Sequence, residues 1–141
     1  METEPPDDQT SDIERIIPAE VQQFILGHID SIAQLEALVL LRSTPDTWWP
    51  SSSVASRLYI TEPHCREELE GLRRERLLLT REDEAGRFYR YRPETGELRE
   101  MVDRLVYYYS KHLVPTSNLV HSKQRTRLHE FPKAFDLKRE R

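Results

Sequence analysis

The feature that most limits how this chain can fold is a helical segment followed at once by a predicted β-hairpin. Cys65, Leu69 and Leu72 recur at the three- and four-residue spacing that puts side chains on one face of a helix. Residues 77–80 are then a short apolar run, and residues 88–92 alternate aromatic with basic side chains. The sequence Asp-Glu-Ala-Gly between these two runs supplies the glycine that a hairpin turn requires. The change from helical spacing to alternation of every second residue predicts a helix joined directly to a β-hairpin.

Three further helices are predicted before this segment and one after it. A first amphipathic helix covers about residues 18–29. Ser31, with a glutamine three residues later, is a capping-box pattern that begins a second helix, apolar around most of its circumference and therefore central to the core. A short third helix, residues 54–59, forms a helix-turn-helix with the helix described above. The last helix begins at Thr95 and must bend or stop at Pro115.

Length and composition suit one small domain with polar ends. The chain has 141 residues, of which 37% are hydrophobic and 33% are charged, and this leaves little room for two separate cores. Residues 1–17 are rich in proline and acidic residues, and we expect them to be a disordered acidic N-terminus. Residues 18–114 are expected to form the domain with its flanking helices, and residues 115–141 a basic C-terminal tail.

The two ends carry opposite charge, although the whole chain has a net charge of −4. Residues 1–20 hold seven acidic residues and one basic residue, a balance of −6, and residues 122–141 hold seven basic and three acidic residues, a balance of +4. Such ends are consistent with two solvated tails, with attraction within or between subunits, or with a tail that serves nucleic acid.

Several functional classes are disfavoured by the residues present. His64 and Cys65 do not form a nucleophile and base, because adjacent side chains diverge on a helix and Cys65 lies on the apolar face. The histidines lack metal-ligand spacing, and four glycines supply no phosphate-binding loop, so we expect no enzyme, metal or cofactor. No apolar run is long enough to cross a bilayer, the N-terminus is acidic, and a single cysteine fits a reducing compartment, so a cytoplasmic protein without membrane insertion is expected.

The order helix, helix-turn-helix, hairpin is that of a winged helix-turn-helix domain. The run LEALVLLRSTPDTWWPSSSVASRLYITEPHCREELEGLRRERLLL, with the hairpin sequence FYRYRP and the helix after it, resembles the small bacterial winged-helix proteins described as transcriptional regulators. The resemblance covers about residues 20–113, and it implies a mainly α fold with a small β-hairpin and extra N- and C-terminal helices. It also implies double-stranded DNA as a partner. Where many relatives have glycine after the recognition helix, this chain has Arg76.

The recognition helix that this resemblance implies carries an unusual number of acidic residues. When its apolar stripe faces inward, the outermost line is Glu67, Glu70 and Arg74, with Gly71 beside it. Carboxylates on that face oppose phosphate binding, so DNA contact is expected through one basic flank of the helix and through the wing. The residues expected to contact DNA are Arg66, Arg73, Arg74, Arg87, Arg90 and Arg92. The alternative is a non-catalytic adaptor that keeps the fold and binds proteins instead of DNA.

Contacts with a second subunit or another protein are expected from apolar residues in excess of what a small domain needs. The first and last helices carry broad apolar stripes, which favours a homodimer over packing within one chain. Trp48 and Trp49 are adjacent, so one is expected inside and the other outside. The tail interleaves apolar with basic residues and is a candidate for docking on a partner protein or on the other subunit. The candidate contact residues are Phe24, Ile25, Trp48, Leu105, Tyr108, Tyr109, Phe131 and Phe135.

Overall fold

The computed structural model describes residues 16–123. Its elements are α1 (Ala19–His28), α2 (Ile32–Ser43), β1 (Trp49–Pro50), α3 (Ser51–Leu58), α4 (Glu62–Arg74), β2 (Leu78–Asp83), β3 (Gly86–Tyr91) and α5 (Gly96–Lys111). A further helical segment covers residues 113–123. The architecture is mainly α with a small antiparallel sheet, and α3, α4, β2 and β3 form a helix-turn-helix with a wing.

Helix starts are set by side-chain caps that satisfy free backbone N–H groups. Ser31, Thr61 and Thr95 each accept a hydrogen bond from the backbone N–H three residues later, at 3.0, 3.3 and 3.0 Å. The start of α2 differs from a capping box in one respect, because the Gln34 side chain accepts from the N–H of Asp30 at 2.7 Å and not from that of the cap residue. The helix starts predicted at Ser31 and Thr95 are therefore confirmed.

The core is built around α2, as its nearly uniform apolar character predicted. Leu35, Leu38 and Leu41 of this helix have no exposed area. The apolar stripe of α4 is equally buried, with Cys65, Leu69 and Leu72 at 0% exposure. Burying each such leucine stabilises the fold by about 1.5–3 kcal/mol.

The wing contains one strand more than the sequence predicted. The sheet has the order β1-β3-β2 and is antiparallel throughout. Trp49 of the two-residue strand β1 pairs with Tyr89, while β2 and β3 pair from Leu78 and Tyr91 down to Asp83 and Gly86. The hairpin is thus longer and its turn tighter than expected. Strand β1 was missed because two residues ending in proline show no period of two.

Both predicted domain boundaries need correction. Ile17, assigned to a disordered N-terminus, has no exposed area, because the chain joins the core before α1 begins. Helix α5 ends at Lys111 ahead of Pro115, but a helix resumes at once, and Val120 within the expected tail is buried. Proline is tolerated there because it lies in the first turn of the new helix, where its missing N–H is not needed. The expectations for residues 1–15 and 124–141 lie outside the described residues.

Length and apolarity decide whether a helix of residues 16–123 could span a membrane. No single helix there is long and apolar enough to cross a bilayer. Helices α1 and α2 would meet the criteria only if taken together, and they are bent by 105° at their junction.

Candidate nucleic-acid interface

Helix α4 is covered over more of its circumference than its apolar stripe suggested. Gly71, expected beside the outermost line, is buried against α2. A Cβ atom at this position would lie 2.4 Å from Nε2 of Gln34, so any other residue would displace the Gln34 amide group. Gln34 is itself 2% exposed, and its Nε2 donates to the carbonyl oxygen of Glu68 at 3.3 Å. One flank of α4 is therefore closed by α2.

Glu70, expected to point outward, lies between α4 and the wing. Its Oε1 accepts from Nε of Arg73 at 2.8 Å, while its Oε2 accepts from Nε of Arg87 at 2.6 Å and from the Tyr89 hydroxyl at 2.5 Å. Partial burial opposes ionisation of this carboxyl, but the hydrogen bonds from Tyr89, Arg73 and Arg87 outweigh it and lower the pKa of Glu70 to about 2. Desolvation, together with its bond to Glu70, raises the pKa of Tyr89 to about 12. The outward orientation expected for Glu70 is wrong.

Most other carboxylates of this helix and its cap are also held in internal pairs. Hydrogen bonds from Ser51 and Arg66 keep the pKa of Glu62 below its ordinary value. The pairs are Glu62 with Arg66 and Ser51, Glu68 with Ser31 and His64 at 3.0 Å each, and Glu75 with His28 at 2.5 Å. Glu67 is exposed and has no such partner among residues 16–123. The outer face of α4 therefore presents fewer unpaired carboxylates than the number of glutamates in the helix suggests.

The six arginines expected to contact DNA lie in separate places. Arg66 and Arg87 border a cleft of about 290 Å³ between the start of α3, the start of α4 and the wing turn. Arg73 and Arg92, together with Arg76, line a second cleft of about 540 Å³ at the C-terminal end of α4. Because the guanidinium groups of Arg66, Arg73 and Arg87 are paired with carboxylates, phosphate must compete for them.

Arg74, Arg90 and Arg92 differ from the other three because they have no carboxylate partner among residues 16–123. Arg74 and Arg92 are exposed, Arg74 on α4 and Arg92 directly after β3. Arg90 instead lies 5.1 Å from the centre of the Trp48 ring, on the outer face of the wing, and its Nε is buried without a hydrogen-bond partner. Of the six arginines, Arg74 and Arg92 are thus exposed and without a carboxylate partner among residues 16–123.

The outer face of the wing combines aromatic rings with arginines. The guanidinium of Arg81 lies 4.9 Å from the Trp48 ring centre and 5.0 Å from that of Phe88, a geometry that gives cation–π attraction. Trp49 takes the opposite side, where it packs against the core and donates from Nε1 to Thr44 at 2.9 Å. The two adjacent tryptophans therefore divide between inside and outside.

The expected subunit contacts are mostly used inside the single chain. Four of them are buried: Phe24, Ile25, Leu105 and Tyr109. This corrects the expectation that they form an exposed dimer surface, since the alternative of packing within one chain accounts for them. Tyr109, for example, donates its hydroxyl hydrogen to Glu36. Trp48 and Tyr108 keep part of their exposed area, and Phe131 and Phe135 lie outside the described residues.

Other apolar residues are exposed near the end of the described chain, and sequence reasoning missed them. Tyr107, Leu113 and Val114 are 53%, 55% and 65% exposed. A signal was present in the three consecutive tyrosines that begin at Tyr107, because a single helix face cannot bury all of them. These residues belong to α5 and to the helical segment that follows it.

Neither catalytic nor metal-binding chemistry is indicated by the described residues. Burial raises the pKa of the Cys65 thiol to about 11, so the thiol is protonated and unreactive at neutral pH. Within residues 16–123 no group of three His, Cys, Asp or Glu side chains is placed to hold a metal ion.

Comparison with known proteins identifies the fold. No family model and no curated protein matches the chain. Among solved structures, a mutant of S. aureus MepR bound to an oligodeoxyribonucleotide has a TM-score of 0.52 at 13% identity, over 94% of this chain and 99% of that one. A second S. aureus MepR mutant gives 0.51 at 13% identity, over 98% and 100%. The homodimeric winged helix-turn-helix DNA-binding domain of Mb0332 from Mycobacterium bovis gives 0.48 at 14%, over 80% and 94%. The winged helix-turn-helix fold with flanking helices is thus confirmed.

Proposed function

We propose that this protein is a DNA-binding transcriptional regulator of the bacterial cytoplasm that contacts double-stranded DNA with α4 and the wing. The observation that supports this most directly is the internal pairing of the acidic residues of α4. Glu70 is paired with Arg73 and Arg87, and Glu68 is largely buried and accepts a hydrogen bond from Ser31, so the exposed face of the helix is less negative than its composition suggests. Without that pairing, repulsion from phosphates would dominate.

Separate roles follow for the exposed cations. Arg74 and Arg66 are exposed on α4 and would contact the DNA backbone, with phosphate displacing Glu62 from Arg66. Ser52 and Ser53 at the exposed start of α3 offer hydroxyl and backbone N–H groups to a phosphate. Glu67 is then the one side chain of the outer face suited to accept a hydrogen bond from a cytosine amino group.

A homodimer would present two copies of this surface, as winged-helix regulators require for a two-fold symmetric site. We assign the contact between subunits to Tyr107, Leu113 and Val114 in place of the buried stripes. The reason is that exposed apolar side chains of this size gain from being covered by a second copy.

DNA binding is tested by fluorescence anisotropy with a random-sequence duplex at increasing salt concentration. We expect a dissociation constant below about 1 mM at low salt that weakens steadily as salt is added. Replacing Arg66 and Arg74 by alanine should weaken binding and reduce the slope of log affinity against log salt by about one unit per residue. Arg99→Ala is the matched control, because Arg99 is an exposed arginine of α5, its guanidinium lies against the Tyr91 ring, and it has no carboxylate partner among residues 16–123.

A protein-binding adaptor is the second candidate, and the outer wing face supports it. Trp48, Phe88, Arg81 and Arg90 combine aromatic area with arginine, the composition that carries most binding energy at protein interfaces. The substitutions Arg90→Glu and Arg92→Glu separate the two functions. If these substitutions abolish duplex binding, the result supports a regulator whose wing contacts DNA. If the unmodified protein does not bind duplex even at low salt, only the adaptor function is left.

A further inference from the structure

An apolar groove lies between α2 and α3, on the side of α2 that faces away from α4. It consists of two adjoining depressions of about 430 and 240 Å³ that share Glu36, Arg57 and Leu58. Most of its lining is aliphatic: Ile32, Ala33, Val39, Leu40, Leu58 and Ile60. The groove follows α2 from its first residue to its last, which is about 16 Å at 1.5 Å per residue.

Tyr59 lies at the rim of this groove, and its ring is not packed against the described residues. It is 94% exposed and adopts a left-handed conformation with φ of 60°, where helix ends ordinarily have glycine or asparagine. The strained backbone and the uncovered ring both oppose stability of the domain taken alone. An occupant of the groove would cover the ring.

The described chain ends beside the mouth of this groove. Nζ of Lys123 lies 3.0 Å from a carboxylate oxygen of Asp30 and donates to the carbonyl oxygen of Ile29 at 3.1 Å. Asp30 is two residues before Ile32, where the groove begins. Lys123 is largely covered, with 14% of its side chain exposed, so this exit point is firmly held.

The segment that follows has the length and composition to fill the groove. Leu128 comes five positions after Lys123 and Phe131 eight, so an extended chain reaches up to about 17 and 27 Å from the exit point. The first distance already matches the length of the groove. Phe131 and Phe135 supply large apolar side chains, and Glu130 between them and Leu128 supplies a carboxylate. Arg57 in the groove has no carboxylate partner within residues 16–123.

We propose that residues 124–141 dock in the groove between α2 and α3 of their own chain, with Phe131 and Phe135 against the aliphatic lining and Tyr59. Docking within the chain is favoured because the exit point beside the groove gives the segment a high effective concentration. The proposal does not depend on DNA binding.

The test is hydrogen–deuterium exchange of the full-length protein, followed at α2 and α3. Phe131→Ala with Phe135→Ala should speed exchange of groove-lining amides at least about tenfold, because the groove loses its cover. Tyr59→Asn should also speed exchange of the groove-lining amides, because it removes the ring that contacts the docked segment. The substitution should not disturb the domain itself, since asparagine tolerates the left-handed conformation and the ring is not packed in the domain.

Two matched controls isolate the contact from general destabilisation. Phe131→Leu with Phe135→Leu keeps apolar side chains, and Leu79→Asn removes an exposed apolar side chain from β2; both should leave exchange at α2 and α3 unchanged. Protection should also be independent of protein concentration. Unchanged exchange in the Phe131→Ala, Phe135→Ala protein, or protection that grows with concentration and so comes from a second copy, would overturn the proposal.

Discussion

Glu70 both holds the wing against α4 and occupies two arginines that a phosphate backbone could use. Its carboxylate binds Arg73 and Arg87 at 2.8 and 2.6 Å. Replacing it by glutamine frees much of their charge, so Glu70→Gln should bind a random duplex several-fold more tightly. The slope of log affinity against log salt should steepen by about one to two units as these arginines gain phosphate contacts.

Glu67→Gln is the control for this prediction, because it removes the same charge from an exposed residue without a partner among residues 16–123. Glu67→Gln also reduces the repulsion between the helix and phosphates, but it releases no arginine. The slope of log affinity against log salt should therefore stay unchanged. Equal slopes for Glu70→Gln and the unmodified protein would show that Arg73 and Arg87 do not reach DNA.

The same carboxylate makes stability depend on pH in a defined direction. The pKa of Glu70 is lowered to about 2, so its contribution is fully present above its unfolded pKa near 4.3 and is lost as the pH falls towards 2. Glu70→Gln should therefore cost about 1–3 kcal/mol of unfolding free energy at pH 7. Urea unfolding at several pH values measures the difference, which should shrink between about pH 4.3 and 2. A difference that is constant over this range would contradict the role given to the carboxylate.

Arg76 adopts a backbone conformation in which glycine is the favoured residue. Its φ of 67° is left-handed, and its guanidinium makes an exposed contact of 3.5 Å with Glu94 that contributes little. Arg76→Gly should raise the free energy of unfolding by about 0.5–1 kcal/mol, since relief of backbone strain exceeds the entropy that glycine adds to the unfolded chain. Arg74→Gly, within α4, should lower it by a similar amount, and thermal unfolding compares the two. A loss of stability in Arg76→Gly would refute this account.

At the scale of elements, the hydrogen bonds of Gln34 between α2 and α4 depend on the absence of a side chain at Gly71. A methyl group there would displace the Gln34 amide and break its hydrogen bonds with Glu68 and Asp30. Gly71→Ala should lower the free energy of unfolding by about 1 kcal/mol net, because the broken bonds outweigh the gain in helix propensity. Gly27→Ala in α1 meets nothing within 4 Å and should raise it by about half a kcal/mol. Chemical denaturation distinguishes the two, and stabilisation by both changes would disprove the packing argument.

Features that depend on residues close together in the sequence could be predicted from it. Features that depend on contacts with distant parts of the chain could not. Hydroxyl caps at Ser31 and Thr95 and apolar spacing located helix starts and buried faces, because these signals lie within a few residues of one another. The orientation of Glu70 depends on the wing, which follows later in the chain, and a helical wheel of α4 alone contains no such information. Gly71 was the available clue, since glycine inside a helix often marks a close approach. The role of Trp49 in β1 likewise depends on Tyr89, forty residues away.

For the whole molecule, the assembly state is the property most open to measurement. If Tyr107, Leu113 and Val114 form the subunit contact, sedimentation should show a dimer at micromolar concentration. Leu113→Asp with Val114→Asp should then yield monomers, because a charge buried at a subunit contact costs far more than one at a free surface. Leu79→Asp places the same charge on the exposed wing and should leave the dimer intact. If the dimer persists after both substitutions, the subunit contact is formed by other residues.

The strand order β1-β3-β2 has a consequence for solubility. Strand β2 is at the edge of the sheet, where unpaired backbone groups invite another chain to add a strand and begin aggregation. Its outer half consists of Arg81, Glu82 and Asp83, so an incoming strand would have to desolvate three charges to pair there. The charged end of the wing thereby disfavours the addition of a further strand at this edge of the sheet.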